Sequence, residues 1–194
     1  MSDFVIGVTG ASGSIYGIRL VQELAMRKHR VNLVMTTAGK KVMAEELGVP
    51  DFEHLSKLGF SEAGGQIRIW DNDKYEAPFM SGSGAPDAVV VIPCSVGKLA
   101  AIANGISSNL IERTADVALK ERRQLILVVR ETPLSLIHLE NMVKAARAGA
   151  RILPAMPAFY HHPQTVDDMV NFVVGKVLNL LKIEHNLFKK WKQE

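Results

Sequence analysis

Between Gln124 and Pro133 an apolar run, Leu125-Ile126-Leu127-Val128-Val129, stops abruptly at Arg130-Glu131-Thr132-Pro133. A short continuous apolar run reads as a strand buried on both faces, as in parallel sheets. Ending it in a guanidinium, a carboxylate and a hydroxyl puts chemistry where open α/β sheets keep their ligands. A carboxylate beside a partly buried guanidinium stays ionised and can move protons. A structural ion pair at a strand end accounts for Arg130 and Glu131 equally well, and the segment alone does not choose.

Other reactive groups follow other apolar runs. Gly10-Ala11-Ser12-Gly13-Ser14 precedes a helical pattern whose free N–H groups and positive dipole end suit a phosphate. The spacing of Gly7, Gly10 and Gly13 is not the dinucleotide GxGxxG, and the second run ends in Thr36-Thr37, not in a ribose-binding acid. The loop therefore suits a mononucleotide, or is a tight structural turn. Pro93-Cys94-Ser95-Val96-Gly97-Lys98 makes another small polar turn before a helix. Cys94, the single cysteine, has no local base to activate it and reads as inert packing.

Three prolines stiffen the loop from Pro154 to Pro163 and could fix Tyr160 as a hydroxyl donor. His161-His162 lacks metal-ligand spacing and reads as surface. Asp167-Asp168, near Asn171, follow Thr165 at a helix start, where acids complement the dipole. With no metal expected, a phosphate-bearing substrate needs side-chain cations, and Arg113, Lys120 and Lys176 are available.

Five apolar runs must position these groups: Phe4–Thr9, Arg30–Thr36, Asp87–Pro93, Gln124–Arg130 and Ala150–Pro154. Helical periods alternate with them. Ile15, Ile18, Val21 and Leu24 form one stripe; Leu110, Thr114, Val117 and Ala118 another, after cap candidates Ser107-Ser108-Asn109. Ser135 can cap a helix with Leu139, Met142, Val143 and Ala146 inward and Gly149 closing it. Thr165 caps a last helix through Val170, Val173, Val177 and Leu181. Strands alternating with helices predict an α/β fold, a doubly wound parallel sheet, as one domain over 1–194. Pro50 to Pro86, with Gly64-Gly65, Ile67-Arg68-Ile69-Trp70 and Met80 to Gly84, breaks the rhythm and reads as a functional or oligomer-contact loop.

At 47% apolar and 22% charged residues the chain is globular, not disordered. A net charge of +3 without a Lys/Arg tract interleaved with aromatics argues against nucleic acid. The cluster Lys189-Lys190-Trp191-Lys192 reads as a solvated helix end or tail. Met1-Ser2-Asp3 leads straight into a strand without a signal-peptide pattern, and no apolar segment approaches the roughly 18 residues of a membrane span. The expectation is a soluble cytoplasmic protein without membrane partners.

The blocks Thr9 to Gly13, Pro93-Cys94-Ser95, Asn109 to Arg113, Asp116 to Arg123, Arg130 to Leu134, His138 to Met142, Pro157 to Tyr160 and Trp191 occur in order over nearly the whole chain. Together they resemble the UbiX family of flavin prenyltransferases, long described as aromatic-acid decarboxylases because their product supports a separate decarboxylase. The resemblance implies a Rossmann-like flavoprotein that joins a dimethylallyl group from dimethylallyl phosphate to reduced FMN, at N5 and then C6, closing a fourth ring. It implies a homododecamer, no metal for this step, and delivery of prenylated FMN to a UbiD-type decarboxylase in ubiquinone synthesis or aromatic-acid breakdown.

By the same resemblance, Gly10, Ala11, Ser12, Thr36, Ser95, Val96, Gly97, Lys98 and Arg130 would hold FMN. Ser81, Arg113, Lys120, Tyr160 and Lys176 would grip the allyl phosphate, and Ser12, Glu46 and Glu131 would relay protons. These roles are expected to gather at one edge, the strand ends described above. Thr36 stands where many members have serine, and Lys98 at a position often small or polar, so that its backbone would contact FMN. Lys176 replaces a common arginine, keeping charge but losing the bidentate fork. Two other readings stand beside this one. An FMN-dependent cysteine decarboxylase shares the flavin fold, but Pro93-Cys94-Ser95 and the three cations favour a phosphate substrate. A non-catalytic flavin carrier would need no proton relay.

Overall fold

The computed structural model describes residues 1–49 and 66–189; Gly64-Gly65, Lys190, Trp191 and Lys192 lie outside the described residues. Six strands form one parallel sheet: β1 (Asp3–Val8), β2 (Arg30–Met35), β3 (Ile67–Asp71), β4 (Ala88–Cys94), β5 (Gln124–Val129) and β6 (Arg151–Ile152). Their order across the sheet is β3-β2-β1-β4-β5-β6, the doubly wound arrangement the alternation predicts. The helices are α1 (Ser14–Met26), α2 (Thr37–Leu47), α3 (Val96–Ala103), α4 (Leu110–Lys120), α5 (Leu136–Arg147) and α6 (Val166–Leu180).

Successive strand side chains point to opposite faces, so a strand covered on both sides must be apolar throughout. Ile6, Val90, Ile126 and Val128 meet Ile18, Val21 and Leu24 of α1 and Val170, Val173 and Val177 of α6. Val5, Val89, Val91, Leu125 and Leu127 meet Leu99 of α3 and Leu110, Ile111 and Ala115 of α4 on the other face. Each such side chain contributes about 1.5–3 kcal/mol by leaving water. Asn109, Ser135 and Thr165 cap α4, α5 and α6 as their sequence positions predict.

Three elements depart from expectation. β3 is a parallel edge strand, not part of an irregular segment; Trp70 Nε1 donates to Asn32 Oδ1 of β2 at 2.8 Å, and Arg68 lies over the Trp70 ring. α2 buries only Gly39 and Met43, too little to leave an apolar stripe in the sequence. In α5 only Met142 of the face expected inward packs against the core; Ala146 is exposed, and Leu139 and Val143 are 45% and 49% exposed, beside exposed Leu136 and Ile137. Among the described residues that face has no covering partner.

Candidate functional site

β1 leads to α1 on one face of the sheet and β4 leads to α3 on the other, so the crevice between their carboxyl ends is the topological switch point. Thr9 holds this crevice together. Its buried hydroxyl donates to the Pro93 carbonyl at 2.7 Å and accepts the Ser95 N–H at 2.8 Å. The sequence pattern assigns Thr9 no role of its own; a hydroxyl directly after a buried strand is the signal for it.

Ser95 Oγ accepts the Lys98 N–H at 3.3 Å and caps α3. The N–H groups of Val96 and Gly97 stand in the helix's first turn, where none has an intrahelical acceptor. Open space lies over Gly97. The Arg130 N–H donates to the Cys94 carbonyl at 3.2 Å, which brings its side chain to the same end of the sheet. Arg130 Nε is buried without a partner. A buried, unanswered guanidinium N–H beside a helix N-terminus asks for an anion. Arg130 and Glu131 form no ion pair; Glu131 Oε1 instead accepts the Thr132 N–H at 3.0 Å.

The N-terminus of α1, expected to take a phosphate, is already occupied. Glu46 of α2 accepts from Gly13 N at 2.9 Å and Ser14 N at 2.8 Å, and also bonds the Ser12 side chain. A carboxylate there is favoured by the same dipole and N–H groups that would have drawn the phosphate. Burial raises the Glu46 carboxyl, but the hydrogen bonds from Ser12, Gly13 and Ser14 outweigh it and hold the group below its ordinary value. Gly10 packs against α2 so closely that a Cβ would lie 2.6 Å from Ala38 Cβ. Thr36 Oγ1 accepts the Gly39 N–H at 2.9 Å and caps α2. Ala11 is buried in the same turn. Cys94 is fully buried, and burial pushes its thiol up to about 12 despite the nearby Lys98 ammonium.

The phosphate-gripping candidates form two other groups. Arg113 Nε donates to the Met80 carbonyl at 3.1 Å and pairs with Asp116 at 2.9 Å. Lys120 pairs with Glu121 at 3.2 Å, and the Ser81–Ser83 turn lies against both, since a Cβ on Gly82 would meet Glu121 and Lys120. Lys120 ends α4 just before β5 begins, so it lies at the amino edge of the sheet. The seven residues of β4 put that edge about 23 Å from Ser95. The expectation of a single edge therefore fails within one chain for Ser81 and Lys120.

Tyr160 and Lys176 form the third group, around Phe172. The Tyr160 ring meets Phe172 edge-on at 5.8 Å, and the Lys176 ammonium lies 5.2 Å from Phe172 and 5.5 Å from Phe188. Gly175 admits this arrangement, because a Cβ there would lie 2.5 Å from Phe188. Lys176 lines an apolar groove of about 460 Å³ beside the edge strand β6 with Pro154, Met156 and Asn179. His161, expected at the surface, is instead stacked on Phe172 at 5.2 Å with both ring nitrogens buried; His162 is exposed. Among the described residues no three His, Cys, Asp or Glu side chains gather to hold a metal ion.

Comparison with known proteins agrees over nearly the whole chain. Residues 2–178 match the family model described as Flavoprotein. The chain is 50% identical over 193 residues to Flavin prenyltransferase UbiX of Halalkalibacterium halodurans, covering 98% of this chain and 94% of that one. The structure of AnUbiX in complex with FMN and dimethylallyl pyrophosphate is 38% identical with a TM-score of 0.88, over 100% of this chain and 98% of that one. A dodecameric FMN-dependent UbiX-like decarboxylase from Escherichia coli O157:H7 is 38% identical with a TM-score of 0.88, over 98% and 100% of the two chains. The FMN-dependent cysteine decarboxylase TvaF shares the fold alone, at 16% identity and a TM-score of 0.58 over 78% of this chain and 89% of that one.

Proposed function

This chain belongs to the flavoprotein family and is a flavin prenyltransferase of the UbiX type, and on that premise we propose how its residues divide the work. FMN is the cofactor and prenyl acceptor. Its phosphate goes to the first turn of α3, at Ser95, Val96, Gly97 and the Lys98 backbone, with Arg130 across from it. The observation that carries this assignment is the buried, partnerless Nε of Arg130. Gly10, Ala11, Ser12 and Thr36 line the flavin's other side. When bound and reduced, the flavin supplies the electron-rich ring that receives the five-carbon group at N5 and C6.

The prenyl donor is dimethylallyl phosphate, met by Ser81, Arg113, Lys120, Tyr160 and Lys176. Cations and a phenol hydroxyl stabilise the charge that builds on the leaving phosphate. Glu131, Glu46 and Ser12 take up and return protons at the ring. The separation of Lys120 from Arg130 supports a site completed between copies of the chain: one supplies the flavin seat, neighbours supply the cations. The exposed apolar face of α5 supports the same reading. We take the assembly to be a dodecamer, as in the Escherichia coli relative.

Among the described residues no helix is long and apolar enough to cross a membrane. A cytoplasmic location and delivery of the product to a UbiD-type decarboxylase complete the proposal. Its test is incubation with reduced FMN and dimethylallyl phosphate, in parallel with the diphosphate, followed by flavin mass. A gain of one five-carbon unit is expected, from the monophosphate; no gain from either donor overturns the reading.

A further inference from the structure

Lys98 and Glu112 form a buried ion pair between two helix starts. Lys98 is the third residue of α3 and Glu112 the third residue of α4, and the ammonium lies 2.5 Å from Glu112 Oε1. The side chains are 13% and 6% exposed. Glu112 Oε2 accepts the Ser108 N–H at 2.8 Å while Oε1 accepts from Lys98, so both carboxylate oxygens are held. Helical side chains lean toward their own N-terminus, so the Lys98 stem starts toward the anion seat of α3. The ammonium's field reaches the Cys94 thiol, one residue before the Ser95 cap.

We propose that Glu112 sets the affinity of the flavin-phosphate seat by holding the Lys98 ammonium away from it, leaving Arg130 to meet the phosphate. This rests on the assignment of the flavin phosphate to the first turn of α3. Here the flavin is consumed and must leave after each turnover, so a seat with one cation withheld releases its product faster. Glu112 and Lys98 touch neither reacting ring nor donor; they act through the charge presented at the head of α3.

The test is equilibrium titration of the full chain and its variants with FMN and with riboflavin, which lacks the phosphate. Glu112→Gln frees the ammonium and lowers the FMN Kd roughly fivefold, as for one added charge at moderate range. Its FMN affinity also falls more steeply with salt, while riboflavin binding is unchanged. Lys98→Met leaves an uncompensated carboxylate and raises the FMN Kd by a similar factor. Lys98→Met with Glu112→Gln removes both charges, folds without an orphaned ion, and returns FMN affinity to within about twofold of the parent.

Opposite signs for the two single variants are the signature, because a merely structural pair weakens binding in both. Equal weakening, or equal shifts for FMN and riboflavin, overturns the inference. If Glu112→Gln is insoluble, the step from Lys98→Met to the double variant carries the same sign test. A parent protein that does not prefer FMN over riboflavin overturns the seat itself; a parent that does, with Glu112→Gln unchanged, overturns only the role of Glu112.

Discussion

Arg130 and Glu131 are adjacent at the end of β5 and do not pair. The Glu131 carboxylate turns forward to the Thr132 N–H, while the Arg130 Nε is buried near the head of α3 with nothing to answer it. A strand-end ion pair would have satisfied both groups and closed the edge. Their separation leaves one as an anion receptor and the other as a base held by a single backbone N–H.

Arg130→Ala should therefore lose flavin specifically. A hydrogen bond to a charged group contributes about 1.5–3 kcal/mol, so the FMN Kd is expected to rise roughly 10- to 100-fold. Fluorescence quenching during FMN titration measures it. Arg130→Lys should recover part of the loss, since it keeps the charge but not the fork. Unchanged FMN affinity in Arg130→Ala would remove the anion seat.

Glu131→Gln should bind FMN normally and turn over slowly, by a factor of about 10²–10⁴ if it carries protons. Single-turnover flavin mass against time reads this directly. Full turnover in this variant removes Glu131 from the proton relay.

Lys120→Ala and Arg130→Ala damage different pieces of a shared site. Each should be inactive alone, the first with flavin retained. Co-expressed, they should form mixed assemblies in which some pockets hold an intact Arg130 from one chain and an intact Lys120 from another. Recovered activity is the expected result; a mixture as dead as its parts means that each chain completes its own site.

Glu46 links pH to stability. Its folded carboxyl is held below its ordinary value of 4.5, so its contribution is fully present above that value. The contribution falls as pH drops from there through the lowered folded value. Melting temperatures of the parent and Glu46→Gln should differ by a constant amount from neutral pH down to about 5, and converge at more acid pH. A gap that widens on acidification contradicts the helix-capping role.

The sheet was legible because buried parallel strands leave uninterrupted apolar runs, as in Leu125–Val129, and because Asn109, Ser135 and Thr165 announce their helices. β3 was not, since an edge strand with Arg68 and Trp70 lacks that signal. The outward part of α5 was not legible for a different reason. Leu139 and Val143 do form an apolar stripe, and periodicity cannot say whether its partner is the same chain. The candidate residues were identifiable by type. Their division among three places was not, because strand ends and strand starts are equally close to helices in sequence and a sheet's length apart in space.

Thr9 and its two partners also fix an order of events. The latch joins positions 84 and 86 residues apart, and Arg130 arrives later still in synthesis. Contacts of such long sequence separation close late, after local helices have formed. A nascent or refolding chain can thus acquire α1 and α2 while the flavin seat does not yet exist. During refolding, flavin quenching should lag the recovery of helical circular dichroism, and bound flavin then holds the finished chain against reopening by mass action. The cofactor's arrival marks the completion of the sheet.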